Sequence, residues 1–373
     1  MRLTLVATCL FGLEGLLGSE IEQLGYERKE TADGRVSFYG DEEAVCYANT
    51  FLRFAERVYI ELGSFDAPTF DALFEGTRAL PWEEFIRRDD AFPVKGHAVK
   101  SALFSVPDCQ RIVKKAVATR LGERFGLVRL PEDSGRTYQV VFFILKDRAS
   151  LLLDTSGAPL YKRGYRTEAG EAPIRETLAA ALVAMSRPRD EVLLWDPMCG
   201  SGTIAIEAAM LQNRLAPGRH RHFAAEAFPS IPASLWETAR EHADDQVRRS
   251  EFEVFASDID PAAAELCAAN AKRAGVTSTV RTFVADARQM RPQGRRGTIV
   301  TNPPYGERMG TPTEVEQLYR DLGTAFRAMA PWQVYVITSH PDFGRLYGAR
   351  ADKVRKLYNG MLPCYYYQYF KKH

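Results

Sequence analysis

The chain lacks most of the features that would assign it to a special environment. No stretch approaches the ~20 consecutive apolar residues of a membrane span, and the apolar run over residues 3–17 is broken by Glu14. That run follows Arg2 in the manner of a leader peptide, yet no small-residue cleavage site comes after it. A strand followed by a helix accounts for it better, and the expected compartment is the cytoplasm. Six cysteines, at 9, 46, 109, 199, 267 and 364, show neither paired nor metal-like spacing. They read as buried thiols in a reducing compartment. His220 and His222 have no acid or cysteine at zinc spacing, so no metal is expected and both read as surface groups rather than ligands. Internal repeats and low-complexity tails are missing. A dominant charge is missing too: 49 basic and 48 acidic residues leave +1. Any polyanion must therefore be met by local charge.

What remains is the composition of a globular protein. With 373 residues, 46% hydrophobic and 26% charged, the chain is long enough for two or three domains with cores of their own. Basic residues gather at 95–100, at 110–124 and at 162–166. In the second group Ile112, Val113, Ala116, Val117, Leu121 and Phe125 recur at helical spacing, leaving Arg111, Lys114, Lys115 and Arg124 mostly to solvent. A solvated charged face is the ordinary reading of such a helix. Beside the site described next, contact with nucleic-acid phosphates is the better one, and it extends to Lys95, Lys100, Lys162, Arg163 and Arg166.

The chemistry concentrates in Asn302-Pro303-Pro304-Tyr305, which follows the apolar strand pattern Gly297–Thr301 and leads into Gly306-Glu-Arg-Met-Gly310. The lone pair of an exocyclic amino nitrogen is delocalised and a poor nucleophile. Two acceptors aimed at its two N–H bonds, the Asn302 amide oxygen and the Pro303 carbonyl, hold the nitrogen and bias its lone pair toward an electrophile. Consecutive prolines make the turn rigid, and Tyr305 offers a face on which a base can stack, worth ~1–3 kcal/mol. A proline-rich turn with a cap is the bland alternative for the motif taken alone.

About a hundred residues upstream, residues 192–195 read as a buried strand, Gly200 and Gly202 as a tight turn, and residues 203–210 as an apolar helix. This is the βα unit of a nucleotide site. Ile206 replaces the third dinucleotide glycine and no Gly-Lys-Ser/Thr follows, so neither a dinucleotide nor a P-loop fingerprint is present. An acid at Asp196, ahead of the turn, suits the ammonium end of S-adenosylmethionine better than a pyrophosphate. Two later strands end on acids: residues 252–257 lead to Asp258, placed to bind ribose hydroxyls, and residues 280–284 lead to Asp286, placed to accept from the adenine amino group. Asp260, before Pro261, reads as a helix N-cap.

Asp196-Pro-Met-Cys-Gly-Ser-Gly-Thr203, Ser257-Asp-Ile-Asp-Pro261 and Asn302-Pro-Pro-Tyr-Gly-Glu-Arg308 resemble the motifs of the THUMP-domain RNA guanine-N2 methyltransferases, most closely the bacterial type acting on 23S ribosomal RNA. Leu160-Tyr-Lys-Arg-Gly-Tyr-Arg166 and Ala172-Pro-Ile-Arg-Glu-Thr-Leu178 share in that likeness, which covers nearly the whole chain. The resemblance implies that Asp196, Pro197, Gly200, Gly202, Thr203, Asp258, Asp286 and Asn302 hold S-adenosylmethionine. It also puts Asn302, Pro303, Pro304 and Tyr305 at the target base. The interval 211–250 lengthens the path to Asp258 beyond the usual ~20 residues.

The expected fold is α/β. Residues 1–65 alternate in the βαββαβ order of a ferredoxin-like domain, with an Asp33-Gly34 hairpin. Residues 66–160 resemble a THUMP RNA-binding domain. Residues 161–373, opening with a connector, form a Rossmann-fold methyltransferase domain of seven strands, the last antiparallel. Transfer RNA is the alternative to ribosomal RNA. Three further rivals are an adenine-N6 DNA methyltransferase, a protein glutamine methyltransferase, and a non-catalytic RNA-binding assembly factor that keeps the pocket. The front end argues against the first two and the intact motif set against the third.

Overall fold

The computed structural model describes residues 2–133, 135–166, 174–289, 296–305 and 312–370. The expected loop at 306–310 and residues 167–173 of the connector region lie outside them.

The front end begins β1 (Leu3–Thr8), α1 (Glu14–Gln23), β2 (Arg28–Ala32), β3 (Arg35–Gly40), α2 (Glu42–Phe51) and β4 (Arg57–Asp66). Gly34, at φ +72°, makes the turn between β2 and β3, and the Asp41 carboxylate caps α2 by accepting from Ala44 N at 3.0 Å. It continues with α3 (Phe70–Arg78), β5 (Val94–Val99), α4 (Val106–Phe125), β6 (Val140–Leu145) and β7 (Arg148–Asp154). All seven strands join one sheet in the order β2-β3-β1-β4-β7-β6-β5. The seam is β4, which pairs with β1 on one side and with β7 on the other, from Tyr59 opposite Asp154 to Asp66 opposite Arg148. The expected change of domain at 65–66 thus falls on a strand that both units share. Helix α4 buries Val113, Ala116, Val117 and Leu121, the face its spacing marks, and ends on left-handed Gly126.

The rest comprises α5 (Glu176–Ser186), β8 (Leu193–Asp196), α6 (Thr203–Gln212), α7 (Ala233–Asp245), β9 (Val254–Asp258), α8 (Pro261–Arg273), β10 (Val280–Val284), β11 (Gly297–Thr301), α9 (Pro312–Arg327), β12 (Gln333–Thr338), α10 (Phe343–Tyr347), β13 (Lys353–Asn359) and β14 (Leu362–Tyr369). The sheet runs β10-β9-β8-β11-β12-β14-β13. Neighbours from β10 to β12 are parallel, and β14 lies antiparallel between β12 and β13. The long interval before β9 carries α7, which folds back on α2 and sets the His242 ring 5.5 Å from that of Tyr47. Among the described residues no helix is long and apolar enough to cross a membrane.

One buried polar cluster ties the front end to the second sheet. Glu207 lies fully buried in the apolar helix α6. It accepts from Arg53 Nη1 at 3.5 Å and from the Tyr165 hydroxyl at 3.1 Å, and faces Arg163 Nε at 3.5 Å. Arg53 Nη2 donates to the Leu215 carbonyl at 2.7 Å, and Arg163 donates to the carbonyls of Leu160 and Arg53. Burial draws the Arg53 pKa down while the Glu207 charge opposes the shift. Arg163, expected at RNA, is therefore an internal tie; its basic surroundings in sequence gave no sign of the distant acid it faces. Glu207→Ala strands two buried guanidiniums and should cost about 3–5 kcal/mol. Urea unfolding of the variant checks this, and a midpoint equal to wild type would show that the cluster is not a lock.

Candidate active site

The parallel strands β9, β8 and β11 are adjacent and end at the same edge, so their last residues converge. Asp196 closes β8 and is 1% exposed; its Oδ1 accepts from the Thr301 hydroxyl at 2.8 Å and from Met198 N at 3.4 Å. Thr301 closes β11, and Asn302 follows it directly. Across the other side, Asp258 at the end of β9 accepts from Gly200 N at 2.9 Å and from Asp260 N at 3.1 Å, which leaves a lone pair on each oxygen. Asp260 caps α8 as expected, accepting from Ala262 N at 2.9 Å.

The turn between β8 and α6 is held from below. Gly202 has φ +84°, and a Cβ there would lie 2.4 Å from Cys267 Sγ on α8, so only glycine fits. Gly200 has φ +50°, and a Cβ would meet nothing within 4 Å. The first glycine therefore fronts open space while the second seals the floor. Asn270 Nδ2 donates to the Ser201 carbonyl at 2.8 Å. Pro197 and Thr203 are buried, and Thr203 Oγ1 receives Arg166 Nη1 at 3.4 Å. All six cysteines are buried and free. Cys199, beside Cys267 and desolvated, is pushed far up, which marks an inert thiol.

Pro303 is buried and Asn302 half-buried. Tyr319, inside α9, donates its hydroxyl to the Pro304 carbonyl at 2.6 Å and sits 3.0 Å from Thr338 Oγ1, so the turn is braced from behind. Tyr305 is half-buried against the core, with its hydroxyl donating to Asn302 Oδ1. Thr301, Tyr319 and Asn270 were not anticipated. Only Thr301 left a trace in sequence, as a hydroxyl residue next to Asn302 at a strand end.

Asp286 stands two strands away from β8, chelated by Arg288 through Nε at 2.9 Å and Nη2 at 2.7 Å. This pairing holds its carboxyl below the usual range. Of the basic residues, Lys95, Lys100, Lys115 and Lys162 are exposed. Arg111 pairs with Asp108, and Lys114 is held by Glu132 at 2.7 Å and by the Phe92 carbonyl at 3.2 Å. Arg166 is turned inward onto Glu176 at 3.1 Å, so it too serves the interior rather than an RNA surface. Among the described residues no group of three or more His, Cys, Asp or Glu could hold a metal ion.

An antiparallel strand slotted in beside the edge strand separates the second sheet from the dehydrogenase arrangement. With the glycine turn after β8, it makes this part of the chain a Rossmann-fold methyltransferase. The chain belongs to the RMKL-like methyltransferase family, whose domain matches residues 163–368. Residues 4–59 match the RlmL ferredoxin-like domain and residues 67–154 the THUMP domain. YpsC of Bacillus subtilis, named as an RNA methyltransferase, is 44% identical over 100% of this chain and 97% of its own. Ribosomal RNA large subunit methyltransferase K/L of Psychromonas ingrahamii is 35% identical over 95% of this chain and 48% of its own length, so this chain corresponds to about half of that protein. Among solved structures, SMU.472, described as a methyltransferase complexed with SAH, superposes with a TM-score of 0.93 at 37% identity, covering 100% and 99% of the two chains. A Listeria monocytogenes protein described as an N6-adenine-specific DNA methylase does so at 0.93 and 42%, covering 100% and 97%.

Burial pushes Asp196 up to about 7, opposed by the Thr301 hydroxyl and helped by the Asp258 charge. Between the ordinary carboxylate value of about 4 and that point, the folded chain holds a proton that the unfolded chain has released. For this group, stability therefore falls as pH rises through the window and is flat above it. Thermal melting of wild type and Asp196→Asn across about pH 4 to 8 checks this. The variant should lose this part of the slope, and an identical slope refutes the assignment.

Proposed function

We propose that the protein methylates the exocyclic N2 of a guanine in structured RNA, 23S ribosomal RNA first and transfer RNA as the alternative, with S-adenosylmethionine as donor. The observation that carries this reading is the adjacency of Asp196, Thr301 and Asn302 at neighbouring strand ends, in a chain whose front end carries a THUMP domain.

The residues present fit the cofactor. Gly200 leaves open space where a side chain would stand, at the N-terminus of α6. Asp258 keeps lone pairs for ribose hydroxyls, and Asp196 is a buried carboxylate without a cation partner among its described contacts. Asp286 would share its carboxylate between Arg288 and the adenine amino group. When bound, S-adenosylmethionine supplies a methyl group activated by its sulfonium. The chain supplies position: Asn302 Oδ1 and the Pro303 carbonyl accept the two N–H bonds of the target, and Tyr319 keeps the turn from yielding. The nitrogen loses its proton after attack, so no strong base is required.

Asn302 Oδ1 is engaged by the Tyr305 hydroxyl in this structure. The entering amino group takes that place, which releases the Tyr305 ring for stacking on a base that has left its helix. Lys95, Lys100, Lys115 and Lys162 remain for phosphate contacts, which makes binding strongly salt-dependent. A cytoplasmic location goes with such a substrate.

Asn302→Ala should keep cofactor affinity and lower kcat about 10²–10³-fold, as loss of a positioning acceptor does. Labelled methyl transfer to ribosomal RNA, transfer RNA and DNA lacking the modification, followed by nucleoside analysis, checks both enzyme and substrate. N2-methylguanosine in one RNA supports the reading, and N6-methyladenine in DNA replaces it. Turnover of Asn302→Ala near wild type ends the role given to Asn302.

A further inference from the structure

We infer that the β13–β14 hairpin and the loop after β1 form a contact ridge for an unpaired RNA segment that flanks the target nucleotide. The inference rests on the reading of the protein as an RNA methyltransferase and adds a surface to it.

The ridge is continuous with the catalytic turn. Tyr305 packs against the apolar cluster that includes Leu357 and Cys364, Cys364 is the strand partner of Leu357, and Leu357 packs against Gly12 of the front loop. A Cβ on Gly12 would come within 3.1 Å of Leu357 Cδ2 and 3.2 Å of the Lys356 carbonyl. Next along the loop, Phe11 meets the Tyr358 ring edge-on, with centroids 5.8 Å apart at 72°. Lys356 Nζ stands 5.6 Å from the centre of the same ring. Phe11 is nonetheless 53% exposed, and Met361 at the hairpin tip is 95% exposed. Phe11 lies against Tyr358 and Gly34 and still leaves about half of its surface, with Met361, facing water.

Charge selects the occupant. Strand β13 exposes Lys353, Arg355 and Lys356 and carries no acid. Two acids that reach this region from the front end are already engaged. Glu14 accepts from the backbone N–H groups of Gly12 and Gly34, each at 2.9 Å, and Glu56 is held by Arg175 at 2.6 Å and by the Thr177 hydroxyl at 2.5 Å. Apolar and aromatic faces interleaved with cations suit unpaired nucleotides, whose bases stack and whose phosphates pair, without regard to sequence. Such a surface also fits the reaction: drawing a guanine out of its stack leaves its neighbours unstacked, and the ridge begins where the guanine would sit.

The test uses the full-length protein with Lys356→Gln, Phe11→Leu and Phe11→Tyr. Binding of a fluorescein-labelled unpaired RNA of about twelve nucleotides is followed between about 50 and 200 mM salt, together with methyl transfer to undermethylated ribosomal RNA. Lys356→Gln should lower the salt slope by about 0.7, the value for one phosphate on a single strand. Phe11→Leu should raise KM for RNA about tenfold with kcat and cofactor affinity unchanged, and Phe11→Tyr should restore it. Wild-type binding and KM in all variants overturn the ridge. So does a parallel fall of melting temperature, kcat and cofactor affinity in Phe11→Leu, which would make Phe11 an internal spacer. A wild type that neither binds nor methylates RNA removes the functional reading, and the ridge with it.

Discussion

The arrangement depends on one carboxylate that water cannot reach. Glu207 sits in the helix that starts at the glycine turn, so whatever holds Glu207 also holds the turn. Its charge is tolerable in an apolar helix only because Arg53 arrives from the front end and Arg163 from the connector, each also donating to backbone carbonyls. Two segments more than a hundred residues apart are thereby fixed against α6. The front end is registered to the glycine turn by ion pairs in the interior, where salt screens them far less than at the surface.

The same economy governs the catalytic end. A hydroxyl at the last position of β11 bonds the last carboxylate of β8, and the next residue is Asn302, the acceptor we propose for the target nitrogen. On that proposal, cofactor and substrate sites share a hydrogen bond rather than lying side by side. Behind them Tyr319 fixes a carbonyl that has no neighbouring strand to hold it. Rigid parts at neighbouring strand ends suit a reaction whose barrier is lowered mainly by position.

Much of this was legible in sequence because it is local. Strand patterns at β5, β10 and β11 carry their own boundaries, Asp33-Gly34 its own turn, and Asp260-Pro261 its own cap. The glycine turn and Asn302 could be read from spacing and chemistry. What stayed hidden depends on partners distant along the chain. Arg163 and Arg166 look like their exposed neighbour Lys162, and only folding brings them to Glu207 and Glu176. An acid flanked by Ile206 and Ala208 in a helix is the one local hint that a buried cation must exist. The sharing of β4 was equally out of reach, since strand pattern shows faces and not neighbours.

That shared strand bears on how the chain folds as it is made. By the end of β4 the first four strands can already pair, but the far edge of β4 waits for β7, which ends about ninety residues later. During synthesis this leaves a ten-residue strand with unpaired backbone groups along one side, the kind of edge that captures other chains. The β4 edge is closed not by a neighbour in sequence but by the last strand of the RNA-binding unit. A truncation before residue 148 would therefore leave the first unit with an adhesive edge rather than a finished surface.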